Sequence, residues 1–245
     1  MKNRNEQISE KGIYINFPIT ILIQTDVHNI SSRCDSILDY ACYEYSIRPD
    51  LSSLSIKKRI EEAANYYHIG FGPSSYESGE VEYRRLNYMN ASFINPPKCG
   101  VSLKMLFDFR DNVKSVFEIE SFIGFCAIRS ILQKQLCYLV TKKYIVARMA
   151  GFTRINDYKK APKNISKYLI RYHFDKIVGE LTDKWGLKVF GNHTNGLYVS
   201  FALTPVQLGV HAEMNKKKNR SIIKANTKKE EAERINQQVK FLLKQ

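Results

Sequence analysis

Residues 141–151 read Thr-Lys-Lys-Tyr-Ile-Val-Ala-Arg-Met-Ala-Gly. Threonine accepts a hydrogen bond from the first turn of a helix, so Thr141 predicts a helix beginning at Lys142. Ile145 and Met149 lie one turn apart and give that helix an apolar edge. Ala147 and Ala150 are small enough for another helix to cross closely, and Gly151 supplies the positive φ that stops the helix and turns the chain.

Downstream, Ile170, Phe174, Ile177, Leu181 and Trp185 fall on one face of a helix expected over 164–184. Lys163, Lys167 and Arg171 recur every four residues on the other side, with Asn164 and Ser166 beside its start. Between the two helices, residues 152–162 make a longer connection than a three- or four-residue turn, and they carry Arg154, Lys159 and Lys160. Two β-rich runs, 187–190 and 197–203, then bracket Gly191-Asn-His-Thr-Asn-Gly196, which predicts a hairpin. Upstream, a helix expected over 118–135 is apolar on most faces through Ile119, Phe122, Ile123, Phe125, Cys126, Ile128 and Leu132, and so should be the buried scaffold.

Charge divides along the chain. Residues 1–120 hold 14 Lys/Arg against 16 Asp/Glu, and residues 121–245 hold 24 against 8, so all of the net charge of +14 comes from the second half. A solvated basic helix face needs no partner, but a regional excess of this size is what a domain facing a polyanion carries.

Helix, glycine turn, helix and hairpin in that order, over about 119–203, resemble the winged-helix DNA-binding domains. The resemblance implies duplex DNA as partner, with the helix from Asn164 presented to base edges. Thr141, Lys142, Lys143, Arg154, Lys159, Lys160, Lys163, Lys167 and Lys188 would lie along phosphates, and Asn164, Ser166 and Arg171 near bases. On the wing, Asn195 joins this set, and His193 reads either as a groove or phosphate contact or as a polar loop residue.

In the near-neutral first half, a β-branched segment over 13–23 is broken at Pro18, and helices are expected over 32–46, 55–68 and 79–88. Asn95-Pro-Pro-Lys-Cys-Gly100 is a breaker and an expected junction, followed by a short helix or strand over 101–109. This half resembles the N-terminal winged helix of plasmid and phage replication initiators. Lys57, Lys58 and Arg59 are balanced by Glu61 and Glu62, so no base contacts are assigned there. From Lys216 to the end, ten Lys/Arg face three Glu, and Ala232, Ile235, Val239 and Leu242 recur at helical spacing. A basic linker and an amphipathic helix are expected, the helix docking on the protein, pairing with a second copy or reaching another partner.

The expected fold class is therefore α+β, mainly α with small β hairpins. Two winged-helix-like domains (1–98 and 99–210) stand in tandem before a basic tail with a helix (211–245). The expected function is sequence-specific binding of double-stranded DNA, as a plasmid- or phage-type replication initiator. The alternatives are a transcriptional repressor of a mobile element and a non-catalytic scaffold using the winged helix for protein contacts. Partners beyond DNA are a second copy and the replication or transcription machinery.

No enzyme activity, metal or cofactor is expected. The five histidines are scattered, the five cysteines show no C-x-x-C spacing, no phosphate-binding glycine loop occurs, and Asp108 and Asp111 lack a third acid at nuclease spacing. Neither a signal peptide nor a membrane span is read, and unpaired cysteines at apolar positions suit a reducing cytoplasm.

Overall fold

The β-branched run after Gly12 forms strand β1 (Tyr14–Pro18). Proline cannot donate to a ladder, and the chain leaves the strand there for a 3-10 turn, Ile19–Leu22. In the computed structural model, which describes residues 12–23, 30–70, 96–112, 114–192 and 196–242, β1 pairs antiparallel with β2 (Lys98–Ser102), Phe17 opposite Cys99. The junction expected at 98/99 thus falls inside a strand that completes the sheet begun by β1.

Between these strands lie α1 (Ile30–Ser46) and α2 (Ile56–Tyr66). Ile37, Leu38, Ala41 and Cys42 of α1 and Ile60, Ala63 and Ala64 of α2 are buried, as their spacing predicts. Arg59 has a structural task, donating to the carbonyls of Leu54, Ser46 and Ser52 and so tying the end of α1 to the start of α2. The helix expected over 79–88 lies outside the described residues.

After β2 comes a helix, α3 (Leu103–Arg110), and then α4 (Val116–Leu132). Ser115 and Glu118 close a reciprocal capping box, which starts α4 two residues before the apolar pattern suggests. A short strand β3 (Tyr138–Val140) leads into α5 (Lys142–Met149). A 3-10 turn (Ile155–Lys160), a single-turn helix α6 (Lys163–Ser166) and another 3-10 turn (Lys167–Leu169) precede α7 (Arg171–Trp185). The hairpin β4 (Lys188–Asn192) and β5 (Gly196–Ser200) follows, and α8 (Pro205–Leu242) ends the described chain. The second sheet has the order β3-β5-β4, antiparallel throughout, so β5 lies between the strand before α5 and the strand after α7.

The protein is α+β, mainly helical with two small antiparallel sheets. One apolar core runs through both halves, from Ile15 on β1 to Val199 on β5, with α4 at its centre. At Gly124 the helices α4 and α7 approach so closely that a Cβ would lie 3.1 Å from Ile177 Cδ1. Trp185 at the end of α7 packs 4.8 Å from Phe125, and Phe109 of α3 stacks 4.4 Å from Phe122, joining three helices in one aromatic group. Among the described residues no helix is long and apolar enough to cross a membrane. All five cysteines are free, and Cys34, Cys42, Cys99 and Cys126 are buried.

Candidate nucleic-acid interface

Thr141 caps α5: its hydroxyl accepts from the Tyr144 amide at 3.2 Å, so this side chain serves the helix first. The next two lysines reach toward neighbouring elements. Lys142 Nζ lies 5.9 Å from the ring of Phe174 in the first turn of α7, and Lys143 Nζ lies 5.2 Å from the ring of Tyr158 in the 155–160 turn. Their stems follow aromatic surface while the charges stay hydrated. The N-terminus of α5, the long connection and the start of α7 are thereby brought together. Gly151, with φ of 80°, turns the chain out of α5 as its sequence position requires.

The long connection is ordered and basic. Arg154, Lys159 and Lys163 are exposed and make no ion pair among the described residues. Lys160 is paired with Asp157 at 2.9 Å. From 141 to 171 the chain holds nine Lys/Arg and a single acid, Asp157.

A continuous helix from Asn164 does not form. Ile170 is extended (φ −75°, ψ 135°) and α7 starts at Arg171, leaving Lys163, Asn164 and Ser166 on α6 and Lys167 in the following 3-10 turn. The recurrence of Lys163, Lys167 and Arg171 therefore does not line one helix face. Isoleucine cannot cap a helix with its side chain, but burying Ile165 and Tyr168 directs the preceding turns onto the core, and this tertiary packing overrides the helical periodicity. The Ser166 hydroxyl is turned back to the Lys163 carbonyl at 3.3 Å, and Asn164 is half-buried.

Lys167 is held by the scaffold helix. Its ammonium lies 2.7 Å from Oε1 of Glu120, a buried carboxylate on α4, and Tyr168 Oη donates to Oε2 of the same group at 2.5 Å. Burial, reinforced by this hydrogen bond, pushes the Tyr168 hydroxyl far above its ordinary pKa, so it remains a donor. Glu120 thus locks the turn that launches α7.

On α7 itself Arg171, Lys176 and Lys184 are offset by Asp175, Glu180 and Asp183. Arg171 is paired only at 3.5 Å with Asp175 and is largely exposed. It is flanked by Ile170, 59% exposed, and Tyr172, 70% exposed. Two large apolar side chains thus stand in solvent at the entrance of α7, within a basic surround. Lys188 lies on β4 opposite Ser200, while His193 and Asn195 lie outside the described residues. The hairpin strands β4 and β5 need their glycines. Gly191 and Gly196 have φ of 118° and 94°, and a Cβ on Gly196 would meet the Val140 carbonyl oxygen at 2.9 Å.

Glu120, Tyr168, Ile170 and Tyr172 are the residues that pattern reading misses. For Glu120 a signal exists, since a lone carboxylate within an otherwise apolar helix must find a partner. For Ile170 none does, because an apolar residue in a periodic pattern reads as core, and Tyr172 lies outside that pattern. Among the described residues no three His, Cys, Asp or Glu side chains are grouped to hold a metal ion. Comparison of the chain with protein-family models, with curated proteins and with solved structures gives no match.

Proposed function

We propose that this protein binds double-stranded DNA sequence-specifically through a winged-helix domain over residues 116–200, and that it acts as a replication initiator of the plasmid or phage type. The observation that carries the reading is the sheet order β3-β5-β4 around α5 and α7. A strand before the second helix closes on the far strand of a hairpin that follows the third, the arrangement that holds a recognition helix and a wing on the same side of a scaffold helix. The segment between the helices supplies the charge, with Lys142, Lys143, Arg154, Lys159 and Lys163 toward phosphates. Arg171, with Ile170 and Tyr172, faces the base edges. The near-neutral N-terminal unit is the second domain of the tandem in this reading, and it braces the first through β2, α3 and the shared core. The protein binds and positions; it carries out no chemistry of its own.

Five phosphate contacts predict a slope of about −4.5 in log K against log salt concentration. Fluorescence anisotropy on duplex fragments, titrated with salt, measures it, and replacing Lys142, Lys143 and Lys163 together by alanine should reduce the slope by about 3. Selection of bound sequences from a random duplex pool gives the target: directly repeated sites support an initiator, and inverted repeats favour a repressor. A pool that yields no enriched sequence, with no salt-dependent binding, overturns the reading.

A further inference from the structure

The basic linker expected from Lys216 does not form. Helix α8 runs without a break from Pro205 to Leu242, 38 residues or about 57 Å at 1.5 Å per residue. Its first turns are seated on the hairpin: Leu208 and Ala212 are buried with Tyr198 of β5, and Cys137 and Leu203 close around them. Gly209 passes so near β4 that a Cβ there would lie 3.3 Å from the Phe190 ring. Beyond these turns every described side chain from Glu213 to Arg234 is exposed. The hairpin therefore sets the direction in which an uncovered helix leaves the protein.

That helix presents positive charge. Residues 214–229 hold seven Lys/Arg and no acid. Glu213, just before them, is taken by Lys216 at 2.6 Å. Glu230, Glu231 and Glu233 follow, with Arg234 among them, and the whole stretch 213–234 still counts eight Lys/Arg against four Glu. Lys217, Lys218, Lys228 and Lys229 are exposed and make no ion pair among the described residues. Eleven residues are three turns of α-helix to within about 20°, so Lys228 comes back to the face of Lys217, and Lys229 to that of Lys218, about 17 Å further along. The four lysines thus fall within roughly a third of the circumference of the helix.

We propose that α8 is a second DNA-binding element, sequence-independent, whose lysine face lies along duplex phosphates beyond the site of α5 and α7. The proposal rests on the reading of the protein as DNA-binding. A duplex carries one negative charge per roughly 1.7 Å of axis, so the span between the two lysine pairs matches about five base pairs. Single strands are held by stacking of bases on aromatic rings, and residues 213–234 contain no aromatic residue. A helix lying on a membrane needs a broad apolar face, whereas residues 215–229 offer only Ile222, Ile223 and Ala225. Unpaired lysines at helical spacing, with few apolar residues among them, fit a phosphate backbone. The element adds affinity and length of contact and reads no bases.

The test compares two duplexes by fluorescence anisotropy under salt titration. One just covers the selected sequence, and the other has about ten further base pairs at each end, twice what the lysine face spans. The full chain should give a slope of log K against log salt of about −4.5 on the short duplex and about −8 on the long one, since four more phosphates are neutralised. The K217Q, K218Q, K228Q, K229Q variant should keep the circular dichroism spectrum of the wild type, because glutamine and lysine have similar helix propensity. It should give about −4.5 on both duplexes and select the same sequence from a random pool. Equal wild-type slopes on the two duplexes, or a variant that keeps the steeper slope, overturns this inference and leaves DNA binding by the first site intact. A wild type that binds neither duplex overturns both. Equal slopes together with lysine-dependent binding to phosphatidylserine vesicles would assign the helix to a membrane surface instead.

Discussion

The Lys167 ammonium lies 2.7 Å from the Glu120 carboxylate, 47 residues earlier on the buried helix α4, and Tyr168 donates to the other oxygen of that carboxylate. A carboxylate taken out of water destabilises a fold unless it is paired and hydrogen-bonded, and here both oxygens are engaged by consecutive residues of one turn. That turn ends at Ile170, where α7 begins. Glu120→Ala would leave Tyr168 without its acceptor and should lower stability by about 3 kcal/mol, a fall in Tm of roughly 6–12 °C by calorimetry. If Glu120 positions the entrance of α7, the milder Glu120→Gln, assayed where the variant is still fully folded, should also weaken DNA binding. An unchanged Tm for Glu120→Ala would show that the buried ion pair does not hold this turn.

Ile170 and Tyr172 project into solvent on either side of Arg171. Apolar side chains at base edges contact the 5-methyl group of thymine, and burying one methyl contributes about 0.8 kcal/mol, roughly fourfold in affinity. Replacing thymine by uracil in the selected duplex should therefore weaken the wild type about fourfold for each methyl contacted. The Ile170→Ala, Tyr172→Ala double variant should bind both duplexes alike. Equal affinity of the wild type for the two duplexes would exclude these side chains from base recognition without touching the case for DNA binding.

Burial pushes the Cys34 and Cys42 thiols up to about 12, from an ordinary value of 9.0, and raises Cys126 as well. The folded chain thus keeps protons that the unfolded chain releases above pH 9. Because the unfolded state then binds fewer protons, stability falls as pH rises from about 9 toward 12, by about 1.4 kcal/mol per pH unit for each such thiol. Urea unfolding at pH 8, 9 and 10 measures the slope. The Cys34→Ala, Cys42→Ala variant, though less stable overall, should show a shallower slope between pH 9 and 10, and a slope equal to that of the wild type would refute the assignment.

What could be read along the chain was local. Thr141 as a cap, Gly151 as a turn, the apolar faces of α1, α2, α4 and α5, and the hairpin around Gly191 and Gly196 each depend on contacts within a few residues, so residue type and spacing suffice. The same logic failed where a local preference met a distant partner. Strand β2 was hidden behind Pro96 and Pro97 because its ladder is completed by β1, at the other end of the first half. β3 is three residues long and is defined only by pairing with β5. Over 164–184 the apolar spacing holds through Phe174, Ile177 and Leu181, all buried, but not at Ile170, where the chain is extended and the side chain exposed, because Glu120 holds Lys167 and Tyr168 against the core.

By itself the sequence determined the order of helices and hairpin and the placing of a large positive charge in the second half, since both follow from side-chain chemistry read in series. Only the tertiary structure decided which cations are free. Lys167 is bound to Glu120, Lys160 to Asp157, and the charges of α7 offset one another, while Arg154, Lys159 and Lys163 stand exposed. The reason is that a charge is neutralised by whatever lies within a few ångströms in space, and sequence separation does not report that distance.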